Sequence, residues 1–174
     1  VMLIVLVFSI VASAAPQCSF RDGDINARWQ VSDDELTIEI VNKNIGDNQW
    51  TGIGFGPSMV VSLFKNDLEV VLVKIENNKP TLLTGFTSSY GPPTLDSTAN
   101  VVPSLLSFNS NQLRLRFTRT LSSHGERSHS LEGCHQWNVV KQGYLNNGEV
   151  SSHSDTLVSI EVCPEECKKN VVHE

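Results

Sequence analysis

Period-two alternation runs through most of this chain and constrains its fold more than any other feature. In "DELTIEIVN", Leu36, Ile38 and Ile40 share one face while Thr37 and Glu39 take the other. In "QLRLRFTR", Leu113, Leu115 and Phe117 point one way and Arg114 and Arg116 the opposite way. "TLVSIEVC" groups Val158, Ile160 and Val162. Such a pattern describes strands with one buried and one wet face, as in antiparallel sheets. Turn-rich breaks such as "NKNIGDNQ", "ENNKP", "SFNSNQ" and "GYLNNGEVSSHS" separate them. Short strands at this spacing predict an all-β sandwich or barrel. "LEVVLVKIENNKPTLLTGF" reads as a hairpin turning at Asn77-Asn78-Lys79, and "SMVVSLFKNDL" as the one place for a short helical turn. Residues from Leu121 to Glu132 form a polar loop without a clear period.

The N-terminal "VMLIVLVFSIVASAAPQC" is apolar from Val1 to Val11 and then small. It falls short of the roughly 20 apolar residues a membrane helix needs. It fits a secretory signal peptide over residues 1–14, with Ala12-Ser13-Ala14 as the cleavage site; the rival reading is a buried strand. Secretion is thus expected, with no membrane span once the signal is removed. The domain proper is placed at 18–167 and a tail at 168–174. All four cysteines, Cys18, Cys134, Cys163 and Cys167, follow the expected cleavage site. In an exported chain they imply two disulfides, with three pairings open. A zinc site is the rival, but only Cys163 and Cys167 lie close together in sequence.

The net charge of −6 is spread along the chain, with no basic stripe of the kind nucleic-acid binding requires. "GIGFGPS" resembles a dinucleotide loop, but the third glycine of that fingerprint would fall on Pro57, and no crossover helix follows. There is no G-x-S-x-G elbow and no H-E-x-x-H pair. His124, His129 and His135 are spaced five and six residues apart, outside the usual zinc patterns, and His124 and His129 read as exposed loop residues. Taken singly, Met59 reads as core filler and His153 as a surface residue.

Four segments in order, "NQWTGIGFGPSM", "SSYGPPTLD", "LRLRFTR" and "GCHQWNVVKQGYLNNGEVSSH", resemble the DOMON family across residues 18–167. The closing "IEVCPEEC" resembles stand-alone animal members. The resemblance implies an immunoglobulin-like β-sandwich of antiparallel strands with long connecting loops. In haem-binding members a b-type haem sits between the sheets, held by one Met and one His. The matching positions here are Met59, after the Trp50 strand, and His153, after the Trp137-to-Gly143 strand. Phe55, Tyr90 and Trp137 would be pocket walls, and the strand glycines would let the macrocycle approach. The implied role is one-electron transfer with a redox partner protein rather than enzymatic catalysis. Haem-free members imply the alternative, an extracellular module binding a carbohydrate or other ligand or serving in adhesion. The chain departs from the family pattern in delaying an aspartate to Asp67, in carrying Thr84-Gly85, and in "HGERSHSLEG" before the Trp137 strand.

Overall fold

The structure is a computed structural model that describes residues 17–56, 67–88, 91–123, 125, 127–153 and 157–168. The expected signal segment, most of the expected helical turn, Met59, Tyr90 and His124 lie outside the described residues.

Among the described residues, twelve strands form two antiparallel sheets. The first sheet has the order β1 (Ser19–Asp22), β2 (Ile25–Ser32), β3 (Glu35–Asn42), β9 (Gln112–Thr120), β8 (Pro103–Asn109). The second runs β11 (Glu149–His153), β10 (His135–Asn146), β4 (Gln49–Phe55), β5 (Leu68–Glu76), β6 (Lys79–Thr87), β7 (Thr94–Leu95), with β12 (Leu157–Val162) also on β10. The alternation seen in the sequence becomes the sandwich core. Trp29 and Val31 of β2, Leu36, Ile38 and Ile40 of β3, and Leu113, Leu115 and Phe117 of β9 face Ile53, Phe55, Val71, Val73 and Trp137 of the second sheet. Each such side chain contributes about 1.5–3 kcal/mol relative to exposure. The 68–87 hairpin forms as expected, with Asn77 and Asn78 both at positive φ. Its turn is the two-residue kind whose twist matches the flanking strands.

Two disulfides form, Cys18–Cys167 and Cys134–Cys163. Register decides the second pairing: His135 lies opposite Val162, so the residues just beyond them meet. The first ties the entry to β1 to a 3-10 turn at Pro164–Cys167.

An ion pair enters the core. The inward phase of β9 continues past Phe117 to Arg119, whose Nη1 donates to Glu69 Oε2 at 2.7 Å. The side chains of this pair are 0% and 4% exposed. The guanidinium also stacks over Phe55, 5.3 Å from the ring centroid. Burial lowers the Arg119 pKa and the Glu69 charge opposes that, leaving a net lowering from the usual arginine value; the group stays charged. Arg119 Nη2 donates to the His129 carbonyl, and the His129 N–H donates to Glu69 Oε2. The polar 121–132 loop is therefore organised from beneath by a buried ion pair.

Candidate functional site

The phase of β4 decides which of its residues can reach a ligand. Thr51, Ile53 and Phe55 face the sandwich interior, so Trp50, Gly52 and Gly54 face outward. Register places Leu72 and Val140 beside Gly52, and Val70 and Asn138 beside Gly54. These residues floor an apolar cavity of about 360 Å³ on the outer face of the second sheet. Its rim includes Trp50, His153, Leu157 and the Gly91–Pro93 segment. The volume lies within the range of small-molecule and cofactor sites.

A bulge in β10 sets the site's geometry. Between Val140 and Gly143 the register against β4 shifts, so Lys141 and Gln142 together oppose Thr51. Thr51 Oγ1 donates to the Val140 carbonyl at 2.7 Å, and Asn42 Nδ2 donates to the Lys141 carbonyl at 2.6 Å. Both bonds pin the extra residue, the usual device for re-aiming a strand. The shift brings Gly143 to the outer face, between Trp50 on β4 and His153 on β11. The Trp50 indole occupies the space where a Cβ at Gly143 would sit. It thus reaches across β10 to meet the His153 ring edge-on, with centroids 6.1 Å apart at 78°. Trp50 Nε1 donates to the Ser151 carbonyl at 3.1 Å. His153 is half-buried, its ring direction constrained by this row.

Of the three described residues singled out by resemblance, His153, Phe55 and Trp137, His153 lies at the cavity, while Met59 and Tyr90 lie outside the described residues. Phe55 and Trp137 are fully buried between the sheets, 5.3 Å apart edge-to-face, with Trp29 5.2 Å from Trp137. They are sandwich core and do not wall this cavity. Among the described residues, side chains fill the space between the sheets, and this cavity lies outside it. The floor differs from expectation too, since the Leu72 side chain leans over Gly52. Trp50 and Gly143 were visible only as motif residues. Parity was the missed signal, because if the strand glycines face a ligand then Phe55 must face away. His129 is half-buried rather than exposed, with a ring nitrogen 2.6 Å from the Asp67 carbonyl. Among the described residues no cluster of three His, Cys, Asp or Glu could hold a metal ion. Nor is any helix there long and apolar enough to cross a membrane.

The sequence profile of the DOMON domain matches residues 21–143, more than half of the chain. The chain belongs to the DOMON domain family. The matched span includes the Trp50 strand and ends at Gly143, before the strand that carries His153. Among curated relatives, a DOMON domain-containing protein of Caenorhabditis briggsae is 28% identical over 170 residues, covering 95% of this chain and 97% of the relative. A second from that species is 30% identical, covering 96% of this chain and 90% of its own. A DOMON domain-containing protein of Caenorhabditis elegans is 28% identical over 89% of this chain and 90% of its own. The fold is also that of the cytochrome domain of Myriococcum thermophilum cellobiose dehydrogenase, with a TM-score of 0.60 at 13% identity over 84% of this chain and 78% of that one. The cytochrome b domain of pyranose dehydrogenase from Coprinopsis cinerea gives a TM-score of 0.59 at 11% identity, over 85% of this chain and 80% of that one.

Proposed function

We propose that this DOMON domain binds b-type haem at the outer-face cavity, where His153 would be one of the residues that hold it, and serves in one-electron transfer with a partner protein. The observation that carries the reading is an imidazole at the rim of an apolar, sheet-floored cavity, oriented by an aromatic neighbour. The His153 imidazole suits the group, and the structural neighbours are a cytochrome domain and a cytochrome b domain. On the family pattern Met59, which lies outside the described residues, would be the other residue that holds it. Held by thioether and imidazole, haem would supply a one-electron couple.

The chain's own residues have three tasks. His153 must present a nitrogen lone pair to the iron. Trp50, fixed by its bond to Ser151, holds the imidazole plane. Leu68, Val70, Leu72, Val140 and Leu157 exclude water. Secretion is part of the proposal, supported by the apolar N-terminal segment and by two disulfides, which persist in oxidising compartments.

Adding hemin to the purified protein and recording reduced-minus-oxidised spectra tests the reading. A sharp low-spin spectrum is expected, lost in both His153→Ala and Met59→Ala. A spectrum that never appears, or that survives both substitutions, would refute it. Leu72 over Gly52 favours a second reading, a haem-free pocket for a smaller ligand. Tight binding of such a ligand with no uptake of hemin would establish that alternative.

A further inference from the structure

The opposite face of the sandwich carries an unrelated feature. Of the six arginines in a chain of net charge −6, four lie on the outer face of the first sheet: Arg21, Arg28, Arg114 and Arg116. Register arranges them in two rows. Arg28 and Arg116 flank Glu39 on neighbouring strands, and one row along, Arg21 and Arg114 sit at the two ends of a line through Asn26 and Val41. Strand spacing puts Arg28 and Arg116 about 10 Å apart and the rows about 7 Å apart. Glu35 is the other acid on this face, at the far end of β3 beside Ser32 and Thr120. The turns at the rim add Asp24, Asp33 and Asp34, the last held by Ser122.

The centre of this face is a depression of about 500 Å³, lined by Arg28, Gln30, Thr37, Glu39 and Arg116 among others. Glu39 is only 7% exposed although it lies on the outer face. Its Oε1 meets Arg28 Nη2 at 2.7 Å, and its Oε2 accepts from Arg116 Nε at 2.7 Å and from Arg116 Nη2. The carboxylate thus fixes two guanidinium planes and leaves Arg28 Nε and Nη1 and Arg116 Nη1 without a protein acceptor among the described residues. Arg21 and Arg114 are exposed and also have no protein partner there. A planar fork held in place loses little entropy when it engages an anionic oxygen.

We infer that this face is a binding site for a polyanionic polysaccharide, whose carboxylate or sulfate groups engage the four arginines while its hydroxyls meet Gln30, Asn26 and Thr37. The composition of the face selects this class. Among the described residues its outward apolar side chains, Val41 and Leu105, are half-buried, and Trp29, which also borders the depression beside Cys18, is only 5% exposed, so the face lacks the exposed aromatic or aliphatic anchors on which protein interfaces concentrate their energy. It also has no exposed aromatic platform on which nucleic-acid bases stack. A flat polar array with spaced guanidinium groups matches a flexible chain bearing repeated anions. Because it lies across the sandwich from the cavity, such a site would tether the domain while leaving the cavity face free.

The test is a binding titration of the full chain, with and without hemin, against dextran sulfate, polygalacturonate and neutral dextran. Binding to at least one charged polymer and none to dextran is expected, and the stronger of the two identifies sulfate or carboxylate as the natural group. Arg21→Ala/Arg114→Ala, which removes side chains with no structural partner, weakens binding about tenfold, the scale of two exposed ion pairs. The charge-matched Lys79→Ala/Lys168→Ala retains it, and hemin leaves it unchanged. The proposal is overturned if neither charged polymer binds, if both double variants lose equally, or if poly-glutamate binds as tightly. The last outcome would mark the face as a site for an acidic protein.

Discussion

Substituting Gly143 by alanine tests whether the bulge, the indole and the imidazole form one mechanical unit. A Cβ at this position falls inside the Trp50 ring, closest to Cε2, Nε1 and Cζ2. The ring has little room to yield, being 5% exposed and packed with Leu68, Val70, Leu72, Val140 and Val150. Overpacking of this kind costs about 1–3 kcal/mol. Moving the indole also breaks its bond to the Ser151 carbonyl, worth roughly 1 kcal/mol. The expected loss is therefore about 2–4 kcal/mol, a large part of the 5–15 kcal/mol typical of a domain. The sign is informative, because Gly→Ala at an unobstructed site usually stabilises by about 0.4–1 kcal/mol through the unfolded chain. Urea unfolding of wild type, G143A, W50L and W50L/G143A closes a cycle. In the W50L background the alanine should be neutral or stabilising, giving a coupling of about 2–5 kcal/mol. Hemin affinity should fall in G143A together with stability, because the displaced indole no longer holds His153. An equal cost of G143A with and without the indole would refute the argument.

Three further outcomes follow from the core and the frame. Arg119→Met strands the Glu69 carboxylate and should cost about 3–5 kcal/mol in urea unfolding, whereas Arg119→Met/Glu69→Met recovers most of it; a loss no larger than that of exposed Arg114→Met would contradict the buried-pair account. Burial pushes the Glu39 carboxyl up, but the bond from Arg116 and the charges of Arg28 and Arg116 outweigh it, so its pKa lies below the usual value. Its contribution to stability is thus complete above the ordinary carboxylate range and is lost as pH falls through the lowered value. Unfolding free energies measured down the acid limb should fall less steeply in Glu39→Gln than in wild type, and parallel curves would contradict this. The disulfides differ in loop length, with separations of 149 and 29 residues. The chain-entropy relation gives about 5 and about 3.6 kcal/mol respectively, so Cys18→Ser/Cys167→Ser should lower Tm more than Cys134→Ser/Cys163→Ser. Calorimetry showing the reverse order would count against it.

The sequence by itself determined the class of fold, because a side-chain period of two can bury an apolar face only in a sheet. Leu36-Ile38-Ile40 and Leu113-Leu115-Phe117 needed nothing beyond that rule to be placed in the core, and the positive-φ tolerance of Asn77 and Asn78 was enough to place the hairpin. The family pattern singled out His153, which lies at the cavity. What period-two reasoning left open is which face belongs to which surroundings. Phe55 carries the same motif as Gly54, yet one residue's difference in phase sends it into the core and leaves the glycine at the cavity. Arg119 follows the inward phase of β9, but only the approach of Glu69 from the other sheet makes a charge there tolerable. Glu39 looks like a wet-face acid until the neighbouring strands close Arg28 and Arg116 over it. Cysteine pairing and the Trp50–Gly143–His153 row likewise depend on strand register, and in β10 on a bulge pinned by Asn42 from the facing sheet. Local alternation is a property of the backbone and can be read along the chain. Register, bulge and sheet-to-sheet contact arise between segments distant in sequence, and only the assembled structure fixes them.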